Sequence, residues 1–286
     1  MQTVQTIAHL RSTVDQWRGR RERVAFVPTM GSLHDGHLQL IKRARRAADR
    51  VVVSIFVNPT QFGAGEDLAA YPRTLKQDSL LLAENDVHLL FAPGVEELYP
   101  FGIHDTVRVE VPGLSDILCG ACRPGHFTGV ATVVAKLFNA VRPHVAVFGE
   151  KDYQQLLVVR RMVADLCIPI EIIVEPTVRE SNGLAMSSRN GYLSPEERRQ
   201  ALVLYQTLRW MGGCLAAGMK DYDGVAAQGM IMLQESGFRP DYVAIRRAED
   251  LGQLQDGDTR AVVLAAAWLG STRLIDNLSV TLKERA

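Results

Sequence analysis

The sequence predicts a doubly wound α/β sheet with a second, smaller α+β unit behind it. Three observations predict this. Residues 51–57 form a continuous β-branched and aromatic run, the pattern of a strand covered on both faces in a parallel sheet. Short apolar strands of this kind alternate with helical patterns five times before residue 175, which calls for right-handed crossovers. The alternation then stops near residue 180, where two helical stretches are followed by three strands with short connections.

Ile7, Leu10, Val14 and Trp17 recur at helical spacing and predict a helix over 6–18. A short buried strand over 24–27 ends at Pro28, and a helix over 34–50 comes after it with Leu38, Ile41, Ala44 and Ala48 on its apolar face. The strand 51–57 leads into a loop rich in Gly, Asn and Pro over 58–72. A helix over 73–85 and a strand over 87–91 come next, then an irregular stretch over 93–125. Val130, Val133, Val134, Leu137, Phe138 and Val141 mark an amphipathic helix. It is followed by a strand at 145–148, a helix at 152–166 and a strand at 170–174. Beyond these, 195–236 reads as two helices divided near 218–222, and 241–246, 260–268 and 273–277 read as strands. The expected division is therefore residues 1–180 and 181–286, with Glu180-Ser181-Asn182-Gly183 as the hinge. Ligands of such sheets bind just beyond the carboxyl ends of the strands, which directs attention to the loops 28–37, 58–72 and 149–155.

Lys plus Arg equals Asp plus Glu at 32 each, so the chain lacks the electrostatic footprint of a nucleic-acid binder. Its longest apolar runs, 51–57 and 261–269, fall far short of the roughly 20 residues of a membrane helix. The first residues show no basic-then-apolar signal pattern, so a cytoplasmic location is expected. Four cysteines are too few for a disulfide scaffold. Cys119 and Cys122 form one C-x-x-C, which lacks a second ligand pair for zinc and reads as thiols rather than a redox pair.

Four segments carry chemistry. The first is Pro28-Thr29-Met30-Gly31-Ser32-Leu33-His34-Asp35-Gly36-His37, between a strand and a helix, where helix N-terminal amides favour phosphate. His34 and His37 share a face on the first helical turn and can donate to phosphate oxygens as charge builds on a leaving group. A zinc site through the same pair is the alternative, without an obvious third ligand. The second, Phe148-Gly149-Glu150-Lys151-Asp152-Tyr153-Gln154-Gln155, places a cationic Lys151 where a strand gives way to a helix, with Gln155 one turn on. A capped surface helix with an exposed Lys explains it equally well. The third, Ala185-Met186-Ser187-Ser188-Arg189-Asn190-Gly191, is a strip able to close on phosphates, although in isolation it reads as an ordinary connecting loop. The fourth, Asn58-Pro59-Thr60-Gln61-Phe62-Gly63, offers a donor and an acceptor on Gln61 at a strand end, or is simply a Pro/Gly turn.

Taken together these segments resemble the pantothenate synthetase (pantoate–β-alanine ligase) family of the H-x-G-H nucleotidyltransferase superfamily. Val27-Pro28-Thr29-Met30-Gly31, His34-Asp35-Gly36-His37 and Phe56-Val57-Asn58-Pro59-Thr60-Gln61-Phe62 carry the match. So do Tyr71-Pro72-Arg73-Thr74, Arg123-Pro124-Gly125-His126-Phe127, Phe148-Gly149-Glu150-Lys151-Asp152 and Met186-Ser187-Ser188-Arg189-Asn190-Gly191, all in the family's order. The match covers about residues 24–193 and is diffuse beyond 195. Ser32 stands where the family often has Ala, and Cys122 where Ser is expected.

The resemblance implies a Rossmann-like sheet with a lid domain, and a two-step ligation. ATP and (R)-pantoate would give pantoyl adenylate and pyrophosphate, and β-alanine would then displace AMP. It implies His37 as the acid acting on phosphate with His34 assisting, Lys151 neutralising the transferring phosphate, and Ser187, Ser188 and Arg189 closing over the ATP phosphates. It implies a nucleotide cradle of Met30, Gly31, Ser32, Leu33, His34, Asp35, Gly36 and His37, and of Gly149, Glu150, Lys151 and Asp152. Val178 would lie near the adenine and Met186 beside the phosphate strip. Gln61 and Gln155 would hold pantoate, and Gln61 would also meet β-alanine. Mg²⁺ is implied by ATP chemistry with ligands unassigned, and the family's usual state implies a cytoplasmic homodimer. Another H-x-G-H nucleotidyltransferase, a class I aminoacyl-tRNA synthetase and a non-catalytic ATP-binding module are the competing readings.

Overall fold

The computed structural model describes residues 1–283, and its chain separates into two compact units. The first comprises Met1–Glu150 with Val158–Pro176, the second Lys151–Leu157 with Thr177 onward.

The first unit is a six-stranded parallel sheet. Its strands are β1 (Gln2–Val4), β2 (Val24–Thr29), β3 (Arg50–Ile55), β4 (Leu89–Phe91), β5 (Val145–Gly149) and β6 (Glu171–Glu175), in the spatial order β1-β4-β3-β2-β5-β6. All neighbours are parallel, with Ala25 opposite both Val51 and Val145. The inner strands are buried along almost their whole length, as the unbroken apolar runs require. Two long helices contribute most to the sheet's cover. The apolar stripe of α2 (Asp35–Ala47) buries Ile41 and Ala44 against Val27, Val53 and Val147, and its four Lys and Arg residues stay off that stripe. A later helix, His126–Val141, buries twelve of its sixteen residues, Phe138 meeting Phe26 and Phe148 edge-on.

The five expected strands are present, and a sixth was missed. Strand β1 is three residues long and lies at the sheet edge, and only Val4 is buried, so it offers no periodicity to read. The helix expected from 34 to 50 ends at Ala47, because Arg50 already pairs with Val24 as the first residue of β3. The irregular stretch 93–125 holds only two single-turn helices, Val95–Leu98 and Cys119–Cys122. No disulfide is formed among the described residues.

The chain builds outward from β2 through β3 to β4 on one side, then returns to place β5 on the other. The strand order therefore reverses between β2 and β5, and a ligand crevice is expected beyond their carboxyl ends. The H-x-G-H loop continues from β2, and Glu150 from β5.

The second unit is a three-stranded antiparallel sheet of β7 (Arg239–Arg247), β8 (Arg260–Leu269) and β9 (Thr272–Thr281). Two helices, Leu202–Ala216 and Tyr222–Glu235, pack on it through Leu204, Leu208, Met211, Val225 and Leu233. The helical stretch expected from residue 195 is broken after Gln200: Pro195–Gln200 is a separate short helix with a Ser194–Glu197 capping box. Glu180-Ser181-Asn182-Gly183, expected as a hinge, is instead the tip of a tight hairpin inside this unit, with Glu180 N–H on Leu184 O and Gly183 N–H on Glu180 O. No described helix is long and apolar enough to cross a membrane.

Two histidines fasten the entry to adjacent strands of the first sheet. His144 Nδ1 accepts Val24 N–H at 2.9 Å, and His88 Nδ1 accepts Val51 N–H at 3.1 Å. Burial holds both rings below the ordinary histidine value, and nearby arginines add to it, Arg50 and Arg45 at His88, Arg18 and Arg23 at His144. A histidine depressed in the folded state stabilises it above the unfolded value of about 6.5 and loses that contribution as pH falls through the depressed value. Acidification from pH 7 to 5 should therefore lower the thermal midpoint. The double variant His88→Gln, His144→Gln should show a flatter midpoint-versus-pH curve over that range, and an unchanged slope would exclude the two imidazoles as its origin.

Candidate active site

The candidates of the first unit begin where β2 ends. Thr29 donates its hydroxyl to Ser54 O at 2.7 Å and accepts Gly31 N–H at 3.3 Å. The backbone then turns left-handed twice, at Gly31 (φ +83°) and Ser32 (φ +51°). Glycine takes such a φ freely, whereas serine does so only when neighbours hold it there. The holder is Asp78 on helix Leu75–Glu84, whose carboxylate is 2% exposed and accepts Ser32 N–H and Leu33 N–H, both at 2.9 Å. Thr74 Oγ1 donates to the same carboxylate at 3.0 Å.

His34 is the N-cap of α2, and its Nδ1 accepts Gly36 N–H at 3.1 Å. His37, three residues on, accepts His34 N–H at its own Nδ1 at 3.3 Å, closing a reciprocal capping box. The two rings lie 4.1 Å apart between centroids. An imidazole whose Nδ1 accepts carries its proton on Nε2, so both rings are set as Nε2–H donors when neutral. The amides of Gly31, Ser32, Leu33, His34, Gly36 and His37 all have partners within the protein. Six amides of the stretch Met30 to His37 therefore spend hydrogen bonds inside the protein.

The Gln61 loop meets the same place. Residues Pro59–Gln61 form a single 3₁₀ turn, and Gln61 is buried, not displayed at a strand end. Its Nε2 donates to the Met30 sulfur at 3.2 Å, which brings Gln61 and the head of the H-x-G-H loop together. Asn58, 1% exposed, orients that amide by donating to Gln61 Oε1 at 3.0 Å and to Gly129 O at 3.2 Å. Asn58 Oδ1 in turn accepts the Tyr99 hydroxyl at 2.7 Å. From the other side, His126 Nδ1 donates to Gln61 O at 2.8 Å and Arg123 adds a second donor at 3.3 Å. Arg123 also grips Glu66 with two bonds of 2.6 Å. Burial pushes the Glu66 carboxyl upward, but the bonds and charge of Arg123 outweigh it and the group ends below its ordinary value. Arg123-Pro124-Gly125-His126 thus acquires a concrete task, bracing the Gln61 turn, that the sequence did not supply.

The second unit carries the remaining candidates. Lys151 is half-buried, and its carbonyl accepts Asn277 Nδ2 at 2.8 Å. Tyr153 donates its hydroxyl to Ala248 O at 2.7 Å, anchoring the helix that carries Gln154, which is buried, and Gln155, which is half-buried. Asp152 is exposed. Val178 and Met186 are paired across the small hairpin, Met186 N–H donating to Val178 O at 3.0 Å. Ser187 caps the 3₁₀ turn Ser188–Tyr192 by accepting Arg189 N–H at 3.2 Å, and Ser187, Ser188 and Arg189 are all half-buried. Buried Asn190 ties the strip down through Ala185 O at 3.0 Å. Arg179 makes two bonds to buried Asp276, of 2.6 and 2.9 Å, and stacks 3.7 Å above the Tyr205 ring. Since Asp276 adjoins Asn277, one stretch of β9 fixes both the Arg179 hairpin and the Lys151 carbonyl. Gly149 and Glu150, the other members of the Lys151 segment, belong to the first unit.

Asp78, Asn58, Asp276 and Asn277 were not singled out from sequence. Asp78 left one trace there: it lies four residues before Leu82 on the buried face of its helix, a carboxylate where an apolar residue is expected. Among the described residues no group of three metal-ligating side chains forms, so His34 and His37 have no third ligand with which to hold zinc.

The H-x-G-H loop lies at the switch point of a doubly wound parallel sheet, where such sheets bind their ligands. A sequence model described as pantoate-beta-alanine ligase matches residues 2–279. The pantothenate synthetase of Pseudomonas entomophila is 57% identical over 285 residues, covering 100% of this chain and 99% of the relative. That of Azotobacter vinelandii is 56% identical over 98% of this chain and 99% of its own. The crystal structure of pantothenate synthetase from Thermus thermophilus superposes with a TM-score of 0.90 at 53% identity, over 97% of this chain and 99% of that one. A pantoate-beta-alanine ligase from Francisella tularensis, complexed with beta-gamma ATP and beta-alanine, superposes with a TM-score of 0.80 at 36% identity over 97% of both chains. The chain belongs to the pantoate–β-alanine ligase family.

The close approach of helix His126–Val141 to the Gln61 turn yields a test. A Cβ on Gly129 would stand 2.3 Å from Thr60 O and 2.8 Å from Gln61 N, so only glycine fits. Gly129→Ala should cost about 1–3 kcal/mol, the scale of overpacking, seen as a lower urea midpoint at unchanged slope. An unchanged midpoint would mean that the turn gives way freely.

Proposed function

We propose that this chain is a cytoplasmic enzyme that joins (R)-pantoate to β-alanine at the expense of ATP, through a pantoyl adenylate. The observation that carries the reading is the contact of Gln61 with Met30, which sets an acid-binding amide against the head of the phosphate-binding loop. A pantoate held by Gln61 has its carboxylate beside the loop that receives the α-phosphate. A carboxylate oxygen attacks the α-phosphorus and pyrophosphate leaves. The amine of β-alanine then attacks the acyl carbon and AMP leaves with both electrons of the broken C–O bond.

The Nε2–H groups of His34 and His37 donate to phosphate oxygens as negative charge builds, with His37 as the acid. Both rings do so in the neutral form set by their Nδ1 bonds. Lys151 supplies a full positive charge to the transferring phosphate, and Ser187, Ser188 and Arg189 hold the remaining phosphates. Gly149, Glu150, Asp152, Val178 and Met186 complete the nucleotide contacts, and Gln155 shares pantoate with Gln61. Mg²⁺ would serve as the counter-ion of ATP, since among the described residues no group of three metal-ligating side chains would hold it alone. The exposed side chains of Phe101 and Val107, each 81% accessible, suit burial against a second copy in a homodimer.

ATP–pyrophosphate isotope exchange tests the reading. Exchange that requires (R)-pantoate, and proceeds without β-alanine, is the expected result. Exchange with another acid, or none, would overturn the substrate or the intermediate. His37→Ala should slow exchange by about 10²-fold or more, the scale of a lost charge-stabilising donor. Gln61→Ala should raise the KM for pantoate more than that for ATP. An effect on ATP alone would move the acid pocket to another loop.

A further inference from the structure

We propose that Asp78 is a positioning residue for adenylate formation: its buried carboxylate sets the loop backbone that holds His34 and His37 as Nε2–H donors. The inference rests on the ligase reading for its chemistry and on the geometry of the first unit for its substance.

Asp78 is not itself among the residues expected to contact substrate, whereas Ser32 and Leu33, whose amides it holds, are in the expected nucleotide cradle; among the described residues Asp78 has no ion-pair partner. A carboxylate 2% exposed is costly unless hydrogen bonds replace its water. Here the replacement comes from the loop itself: Ser32 N–H on Oδ2, Leu33 N–H on Oδ1, with the Thr74 hydroxyl sharing Oδ2. Packing alone would be met by an apolar side chain on this helix face. The loop presses close enough that a Cβ on Gly31 would lie 3.1 Å from Asp78 Oδ2.

The two bonds act at the most constrained point of the loop. Ser32 has a left-handed φ of +51°, and the next residue but one, His34, is extended at φ −139° and ψ 175° as the helix cap. Both His34 N–H on His37 Nδ1 and Gly36 N–H on His34 Nδ1 depend on that cap geometry. Those bonds place the ring protons on Nε2. Releasing Ser32 and Leu33 therefore loosens the tautomer of both imidazoles without removing either one.

Asp78→Asn keeps the side-chain volume but can offer an acceptor to only one of the two amides, since its NH₂ opposes the other N–H. Measured per folded molecule, with folding monitored by circular dichroism and thermal melting, kcat for pantoate-dependent exchange should fall between about 10- and 100-fold. The KM for pantoate should move less than about threefold, because the Gln61 turn has its own braces. Thr74→Val removes one donor while leaving both amide bonds, and should give a smaller loss in the same parameter. Long-range ¹H–¹⁵N spectra of the imidazoles supply a readout that general destabilisation does not move. Wild type should show His34 and His37 as Nε2–H tautomers, and Asp78→Asn a mixture. Wild-type kcat in Asp78→Asn, or a lost kcat with unchanged imidazole spectra, would overturn the proposal. If Asp78→Asn does not fold, Thr74→Val decides, with unchanged turnover and spectra counting against it. If the wild-type protein shows no pantoate-dependent exchange, the ligase reading fails, and the imidazole spectra still decide the role of Asp78.

Discussion

A chain that turns left-handed at two successive residues and then starts a helix cannot keep that course by local preference alone. At Gly31 and Ser32 the course is kept by a carboxylate from a helix more than forty residues along the chain, through Ser32 N–H and Leu33 N–H. The rest of the loop depends on this restraint. With the backbone in place, His34 caps α2 and His37 completes the cap, and the two rings come to lie 4.1 Å apart. Met30, at the head of the loop, is then where the Gln61 amide can reach it. Hydrogen bonds to a charged acceptor are among the stronger ones available, about 1.5–3 kcal/mol each.

The same device recurs with different residues. Asn58 gives both ends of its buried amide to the Gln61 turn and its surroundings, while Arg123 and His126 converge on the Gln61 carbonyl. In the second unit Asp276 orders Arg179, and its neighbour Asn277 orders the Lys151 carbonyl. Arg123, His126 and Asn277 hold loop backbone, while Asn58 and Asp276 orient the side chains of Gln61 and Arg179. Apolar packing resists displacement of a loop but does not aim a donor. Hydrogen bonds do both, and a satisfied buried network is rigid for the same reason that a broken one is costly.

This division explains what could be read from the sequence. Helices and inner strands are legible in the apolar pattern, because burial on one face or two leaves a periodic trace, as in 51–57 and the face of α2. The motif loops were legible too, since Met30 to His37 and Met186 to Arg189 are contiguous. Strand β1 left no trace because three residues at a sheet edge bury a single side chain. The break between Gln200 and Leu202 is hidden because neighbouring residues remain good helix formers. The braces were illegible for a different reason. Asp78 and Ser32 are 46 residues apart, and Arg179 and Asp276 are 97 apart. No spacing rule links such pairs. A lone Asp on a helix face carries little signal until the fold shows what it faces.

The arrangement of the H-x-G-H loop also bears on why histidine, rather than backbone, stands there. In a glycine-rich phosphate loop the amides themselves face the anion, and their strength is constant throughout the reaction. Here the amides are engaged inside the protein, by Asp78 and by the two imidazole Nδ1 atoms. With Nδ1 engaged in this way, the nitrogen left to carry the proton on each ring is Nε2. A bond from such a donor strengthens as charge accumulates on its acceptor, and an interaction that strengthens in this way favours a transition state over a ground state.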